Sequence, residues 1–179
     1  TALKRIDAPI ACSETVKEKV AKHNIELEII QNGIDASTYH PVRSEEEQRD
    51  MQQELGLPTD CPIFVSVGLL IPRKDPQSLI RGFLRSEVAE QGVLVMLGDG
   101  PLLNECRTVS KEQPGDVRFP GFVDNVDEDL QAADYFISAS LSEGLPNTVM
   151  EALGSRVPVI LSDIPSHKEI LGKAPEAGC

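Results

Sequence analysis

The stretch YFISASLSEGLPNTVMEALG (135–154) predicts a strand, a polar loop and a helix in direct succession. Residues 135–139 are mostly apolar, as in a strand that is buried on both faces. Pro146 suits the first helical turn, where the N–H that proline lacks would have no partner, and Gly154 suits the end of the helix. We therefore expect a helix that begins near Pro146 and presents free backbone amides to the preceding loop.

Three more apolar runs, at 62–67, 93–97 and 157–161, alternate with amphipathic segments about three turns long. This alternation is typical of β–α units that feed a parallel sheet. Strands that are apolar on both faces need helices over both sides of the sheet. The predicted fold class is therefore α/β, an open, doubly wound, mostly parallel sheet of the Rossmann-like kind, which binds ligands at the carboxyl ends of its strands.

Shorter or less regular patterns predict the remaining elements. A strong turn signal also occurs at Asn32-Gly33. Asp75 is placed to cap the helix that follows it. The other predicted helices are a segment after Ser13 and residues 45–55, 76–90, 102–110 and 126–133, and the other predicted strands are residues 10–12, 27–30 and 117–119.

Composition narrows the classes of partner. The chain has 179 residues, enough for one domain with a full core. Its net charge of −12 opposes association with nucleic acid or with an anionic bilayer. With no Trp and an aromatic content of 4%, it also lacks the flat stacking surfaces of single-strand binders and of many sugar-binding modules. We expect no nucleic-acid partner and no lectin-like role.

The cysteines and histidines give no sign of a metal site. Four cysteines are widely separated, without a CxxC pair, and we expect buried, reduced thiols in a cytoplasmic protein. His23, His40 and His167 are predicted to lie at the surface, although His167 could line the ligand cleft. No apolar run is long enough for a transmembrane helix or a signal peptide. Since the chain begins at Thr1 without a Met and stops at Cys179, we expect it to be part of a longer protein.

The loop before the predicted helix carries the strongest functional signal. Its amides, with the positive end of the helix dipole behind them, favour a phosphate group. Glu143 lies in this loop, and Glu151 lies one to two turns inside the helix among apolar residues. A carboxylate in that position is costly to bury without donors, which vicinal sugar hydroxyls would supply. The alternative for Glu151 is a half-exposed glutamate that the helix dipole stabilises.

Glu143 and Glu151, with seven residues between them, resemble the EX7E motif of retaining glycosyltransferases with the GT-B fold. The chain is similar to the C-terminal half of a member of family 4, and the resemblance spans nearly its whole length. Four further motifs support it in the right order, namely IQNGID (30–35) with Tyr39 and Pro41 beyond, VG (67–68) followed by PRK (72–74), LGDGP (97–101) and VRFPGFV (117–123).

The resemblance implies roles for particular residues. Glu143, the candidate catalytic residue, would contact hydroxyls of the donor sugar, and Glu151 would bind the ribose hydroxyls of the nucleotide. The stretch around Phe122 would meet the nucleobase through its backbone. The residues implied at the diphosphate are Gly144, Leu145, Pro146, Asn147 and Thr148, and those near the base are Gly121, Phe122 and Val123.

The basic pair of the family is only half present. Lys74 matches the usual lysine, but Leu69 stands where an arginine normally follows Gly68. Arg73, next to Lys74, is a candidate to reach the same phosphate. The usual arginine can bind the phosphate through two N–H groups, and a guanidinium that approaches from another position does not automatically replace it. Stabilisation of the leaving group therefore depends on where Arg73 points.

The resemblance also implies a function and a domain organisation. Residues 41–179 would be the Rossmann-like domain that binds a UDP- or GDP-sugar donor, without a cofactor or a metal, for transfer with retention of configuration. Residues 1–40 would be the end of an N-terminal acceptor domain and a linker. The chain alone would bind the donor without transferring it, and the parent would make polysaccharide or glycolipid in the cytoplasm at the inner face of the membrane. Membrane contact would come only through that parent.

Two other functions remain open for the same architecture. One is a GT-B enzyme that is not a transferase, such as an epimerase or a phosphorylase, although we see no candidate for the cofactor lysine of a phosphorylase. The other is a silent binding domain, an interpretation that Leu69 in place of the usual arginine favours.

Overall fold

The computed structural model describes residues 7–173, so predictions that fall on residues 1–6 and 174–179, including Cys179, lie outside the described residues. The described strands form a five-stranded parallel sheet and a separate two-stranded parallel one. In chain order the strands are β1 (Ile10–Ala11), β2 (Glu28–Ile29), β3 (Ile63–Val67), β4 (Val93–Leu97), β5 (Asp116–Gly121), β6 (Tyr135–Ser138) and β7 (Val159–Leu161).

The large sheet has the strand order β5-β4-β3-β6-β7 and confirms the predicted doubly wound α/β fold. The order reverses between β3 and β6, so their carboxyl ends flank the crevice where such sheets bind ligands. The helices that accompany the sheets are α1 (Glu14–Ala21), α2 (Glu45–Glu54), α3 (Pro76–Leu84), α4 (Leu103–Val109), α5 (Val126–Ala132), α6 (Asn147–Gly154) and α7 (Pro165–Leu171).

Two apolar cores lie on opposite faces of the large sheet. On one face, Val65 and Phe136 pack with apolar side chains of α5, α6 and α7. On the other, Phe64 and Leu94 pack with α3 and α4. Because successive side chains of a strand point to opposite faces, β3 contributes to both cores. All five residues of β4 are buried, as expected of a strand covered by helices on both sides.

Three predicted elements differ from the structure by two residues or more at one end. The predicted helix 76–90 ends at Leu84, and a separate 3-10 turn spans Glu87–Glu90. The hydroxyl of Ser86 donates to the carbonyl of Phe83 at 2.6 Å, a local bond that competes with helix continuation. The predicted strand 117–119 extends over Asp116–Gly121, and the strand predicted at 157–161 begins at Val159.

The predicted turn at Asn32-Gly33 was wrong. The chain is irregular there and turns instead at 36–38. Asp35 sets this turn, because its carboxylate accepts hydrogen bonds from the backbone N–H and the hydroxyl of Ser37 at 2.9 and 2.6 Å. The Asn32 amide donates to the side chain of Asn147 at the start of α6. This tertiary contact outweighs the local preference of the dipeptide.

Among residues 7–173, no helix is long and apolar enough to cross a membrane. The cysteines are less buried than we expected. Cys106 is fully buried, whereas Cys12 and Cys61 are only partly covered. Burial raises the pKa of the Cys106 thiol, which favours its neutral form.

Candidate functional site

The loops that follow β3 and β6 meet at the carboxyl edge of the large sheet. The N–H of Leu141 donates to the carbonyl of Arg73 at 2.9 Å, which ties the two loops together. The loop after β4 also comes close, because Gly98 adopts a positive φ and a Cβ atom there would collide with the carbonyl oxygen of Gly68. Three strand ends thus converge around the residues singled out by sequence.

Glu143 lies between two cations at this edge. One carboxylate oxygen is 2.6 Å from Nη1 of Arg73, and the other is 2.7 Å from Nζ of Lys74. Glu143 is only 8% exposed. Arg73 and Lys74 belong to a short 3-10 turn, Pro72–Lys74, that leads from β3 into α3. The structure therefore brings three of the predicted site residues into one ion-pair cluster.

The cluster keeps Glu143 ionised. Burial alone would raise the pKa of this carboxyl group, but hydrogen bonding by Lys74, Ser140 and Arg73 outweighs burial and lowers the pKa below its usual value. Arg73 also donates to the carbonyl of Ser142 at 2.7 Å. Its guanidinium is therefore already engaged on the loop that carries Glu143.

Helix α6 begins at Asn147, one residue later than predicted. Pro146 is the N-cap, and its carbonyl accepts from the N–H of Val149 at 3.2 Å. Proline fits this position because it has no N–H of its own to satisfy. Within residues 7–173, the amides of Gly144, Leu145, Asn147 and Thr148 donate no hydrogen bond. These four backbone N–H groups are therefore free to bind a ligand near the positive end of the helix dipole.

Glu151 has a different environment from Glu143. It is half-buried, and burial raises the pKa of its carboxyl group. Its side chain makes no ion pair or hydrogen bond within residues 7–173. Burial is the main cause that raises the pKa of the Tyr39 phenol, and the negative charge of Glu151 is the second cause. Glu151 therefore lies near Tyr39, in the segment that follows β2. Within residues 7–173, no hydrogen bond or ion pair joins Glu151 to the ion-pair cluster.

The predicted base-binding stretch lies at the same edge of the sheet. Gly121 ends β5, and its carbonyl accepts from the N–H of Gly98 at 2.7 Å. Phe122 is 78% exposed, while Val123 packs against the core. Among the described residues, no hydrogen bond or ion pair connects these three to Glu143. Leu69, at the position of the missing arginine, is also exposed.

Sequence reasoning misplaced His167. This side chain is 1% exposed, and its Nδ1 lies 2.9 Å from the carbonyl oxygen of Ser162. Burial lowers the pKa of the imidazole, which favours the neutral form. The surface prediction was wrong because His167 shares the buried face of α7 with Ile170 and Leu171. Their i, i+3, i+4 spacing is the sequence signal that would have revealed it.

Sequence reasoning also missed the contacts that helix α1 makes with the Glu143 loop. Ser13 donates to the carbonyl of Gly144 at 3.0 Å, and Lys19 donates to the carbonyl of Glu143 at 3.2 Å. In turn, the Glu169 carboxylate accepts from the backbone of α1. These partners are more than 100 residues apart in sequence, and no local pattern reports them.

The doubly wound parallel sheet is Rossmann-like, and the solved structures that share it are of the GT-B type. Residues 47–177 match the family of glycosyl transferases group 1. The chain belongs to this family.

Curated relatives agree with this assignment. TuaC of Bacillus subtilis, whose name assigns it to glycosyl transfer in teichuronic acid biosynthesis, is 32% identical over 92% of this chain and 40% of its own length. An alpha-monoglucosyldiacylglycerol synthase of Streptococcus pneumoniae is 30% identical over 87% of this chain and 37% of its own length. The chain spans between 26% and 42% of the length of the curated relatives it matches. These relatives include glycosyltransferases of polysaccharide and glycolipid synthesis.

Solved structures share the fold at low sequence identity. HepE of Anabaena, solved with UDP and glucose, has a TM-score of 0.79 and 19% identity, with 91% of this chain and 46% of that chain covered. The C-terminal domain of LpcC from Francisella tularensis has a TM-score of 0.63 and 18% identity, with 80% of this chain and 86% of that chain covered. The second match shows that an isolated domain of this type has been crystallised.

Proposed function

We propose that the chain is the donor-binding domain of a retaining glycosyltransferase of family 4. It takes a nucleotide diphosphate sugar, and an N-terminal domain of the parent protein holds the acceptor. The observation that carries this proposal is the Glu143–Arg73–Lys74 cluster, which lies next to the free amides before α6. One carboxylate, two cations and several amides are the groups that a sugar diphosphate requires.

Each group has a place in the proposed reaction. The amides of Gly144, Leu145, Asn147 and Thr148 hold the diphosphate, and Lys74 and Arg73 neutralise the charge that develops on it as the sugar departs. Glu143 accepts hydrogen bonds from hydroxyls of the sugar. Glu151 binds the ribose, because two hydroxyls would satisfy its half-buried carboxylate. The backbone of residues 121–123 meets the base. No step uses a metal or a cofactor.

Donor binding in this scheme requires an exchange of partners. In the unliganded protein both cations contact Glu143. A diphosphate competes for them, and sugar hydroxyls then replace them at the carboxylate. Arg73 reaches the Glu143 loop although it does not occupy position 69, which supports its proposed role as a substitute for the missing arginine.

UDP-sugars are the first donors to test, since HepE was solved with UDP and glucose and a galactosyltransferase of Escherichia coli, 26% identical over 78% of this chain, is named for UDP-Gal. Calorimetric titration with UDP, GDP and ADP, and then with their sugar conjugates, identifies the base.

We expect Arg73→Ala and Lys74→Ala each to weaken diphosphate binding by about tenfold, because each removes a charge-assisted contact. Arg81→Ala is the matched control, since Arg81 of α3 pairs with Glu112 in the segment that follows α4.

Three results would overturn parts of this proposal. Absence of binding to all three nucleotides and their conjugates would favour a silent domain. If Arg73→Ala binds the diphosphate as tightly as the unmodified chain, Arg73 does not take the role of the arginine that is missing at position 69. We also expect no sugar transfer by this chain alone, so turnover by the purified chain would contradict the assignment of the acceptor site to another domain.

A further inference from the structure

Helix α1 lies outside the matched family region, which begins at residue 47, yet it holds the loop that carries Glu143. Ser13 is the N-cap of α1 and is completely buried. Its hydroxyl accepts from the N–H of Val16 at 3.1 Å and donates to the carbonyl of Gly144 at 3.0 Å. Lys19 donates to the carbonyl of Glu143 and to the hydroxyl of Ser142, each at 3.2 Å.

These bonds fix the orientation of two successive peptide groups. In a planar trans peptide the C=O and the N–H of the next residue point in opposite directions. Because α1 binds the carbonyls of Glu143 and Gly144, the N–H groups of Gly144 and Leu145 point away from α1. Neither of these amides donates a hydrogen bond within the described part of the chain.

The loop has little freedom to change this orientation. A Cβ atom on Gly144 would lie 3.3 Å from Sγ of Cys12 and 3.5 Å from a methyl group of Val16, so the loop packs directly on α1. Helix α1 is itself anchored to α7. The Glu169 carboxylate accepts from the N–H of Glu14 and from the N–H and hydroxyl of Thr15, at 2.7 to 2.9 Å.

We propose that Ser13 and Lys19 are positioning residues that aim the amides of Gly144 and Leu145 at the diphosphate of the donor. This inference rests on the proposed function, because it assigns the two amides to that ligand. It adds that donor affinity depends on the position of α1. Movement of α1 releases the two carbonyls and lets the peptides that follow them rotate.

The orientation of the amides can be tested without any nucleotide. Amide NMR of Gly144 and Leu145 is compared between the unmodified chain, Lys19→Met, the Ser13→Ala/Lys19→Met double variant and Lys17→Met. Lys17 lies on the same helix and its side chain makes no hydrogen bond or ion pair within residues 7–173, so Lys17→Met is the matched control. We expect conformational exchange at the amide of Gly144 in Lys19→Met, at both amides in the double variant, and at neither amide in Lys17→Met. Unchanged signals in the double variant would overturn the proposal.

The consequence for binding is measured by calorimetric titration with UDP. We expect Lys19→Met to weaken UDP binding by about two- to tenfold, as for loss of one hydrogen-bonding group, with Lys19→Arg restoring most of the affinity. Lys17→Met should bind like the unmodified chain. Equal affinity in Lys19→Met and Lys17→Met would overturn the link to the donor. If the unmodified chain binds none of UDP, GDP and ADP, the proposed function fails, and the amide signals alone decide whether α1 sets the loop.

Discussion

At the scale of single residues, Glu143 shows how one buried carboxylate organises a site. It brings a negative charge into a nearly enclosed position, where desolvation is unfavourable. Lys74 and Arg73 compensate for this because they approach different oxygens of the same carboxylate. The two loops that carry these residues follow different strands, so the ion pairs also fix the distance between the ends of β3 and β6.

Replacing Glu143 with Gln should therefore destabilise the protein. The substitution leaves two cations without their anion, and since both are partly exposed we expect a loss of about 1 to 3 kcal/mol at pH 7. The pKa of Glu143 is lowered in the folded state, so its contribution is present at neutral pH and disappears as the pH falls through that pKa. Urea unfolding at several pH values measures the difference in the free energy of unfolding between Glu143→Gln and the unmodified protein. The control is Glu54→Gln, because Glu54 is exposed on α2. A difference for Glu143→Gln that does not change with pH would contradict this explanation.

Asp129 presents the opposite case. Burial, together with the charges of Glu128 and Asp127, raises the pKa of this carboxyl group from 3.8 to about 6. The unfolded chain releases its proton at lower pH, so ionisation of Asp129 destabilises the folded state as the pH rises through this range. We expect Asp129→Asn to stabilise the protein at pH 7.5 by about 1 kcal/mol, with the gain shrinking towards pH 4. Urea unfolding at both values, against exposed Asp124→Asn, provides the check.

At the scale of elements, the attachment of α1 to α7 depends on one side chain. Burial raises the pKa of Glu169, but hydrogen bonds from Thr15 and Glu14 outweigh it and lower the pKa. The carboxylate also lies at the positive end of the α1 dipole. We expect Glu169→Gln to cost about 1 kcal/mol and to accelerate hydrogen exchange in α1. Glu18→Gln, exposed on the same helix, should leave exchange unchanged, and equal exchange in both variants would argue against this anchor.

The elements themselves could largely be predicted from sequence, because their signals are local. The apolar run of β4 is continuous, and Asp75 does cap α3 through the N–H of Ser78. The errors have both tertiary and local causes. Asn32 bonds a side chain of α6 rather than forming a turn. The end of α3 follows from a local bond of Ser86, and the burial of His167 follows from a helical spacing within α7 that the sequence contains.

The candidate site was only partly accessible to the same reasoning. Glu143 and Lys74 stood out by motif, but the convergence of Arg73 and Lys74 on Glu143 requires two separate strand ends to meet. The hydrogen bond between Ser13 and Gly144, which holds the loop on α1, joins residues that are 131 positions apart in sequence. Periodicity and capping signals act over one or two turns, so they cannot report such pairs.

At the scale of the whole molecule, the cationic site sits in a strongly acidic protein. The chain has 29 Asp and Glu against 17 Lys and Arg. Two of those cations, Arg73 and Lys74, are concentrated at the carboxyl edge beside a single carboxylate. The surplus of negative charge elsewhere repels itself, and this repulsion opposes the compact state.

Salt should therefore stabilise the folded chain. Charges separated by more than the Debye length, about 10 Å at 0.1 M salt, are screened first, while the short ion pairs around Glu143 are affected less. We expect the midpoint of thermal unfolding at pH 7 to rise when NaCl increases from about 20 to about 200 mM. The sequence gives an isoelectric point of about 4.6, where the net charge vanishes, so the same addition should have a much smaller effect at pH 5. Calorimetry at pH 7 and pH 5 measures both midpoints. A fall in the midpoint at pH 7 would contradict the prediction, because it would mean that salt weakens attractive ion pairs more than it relieves repulsion.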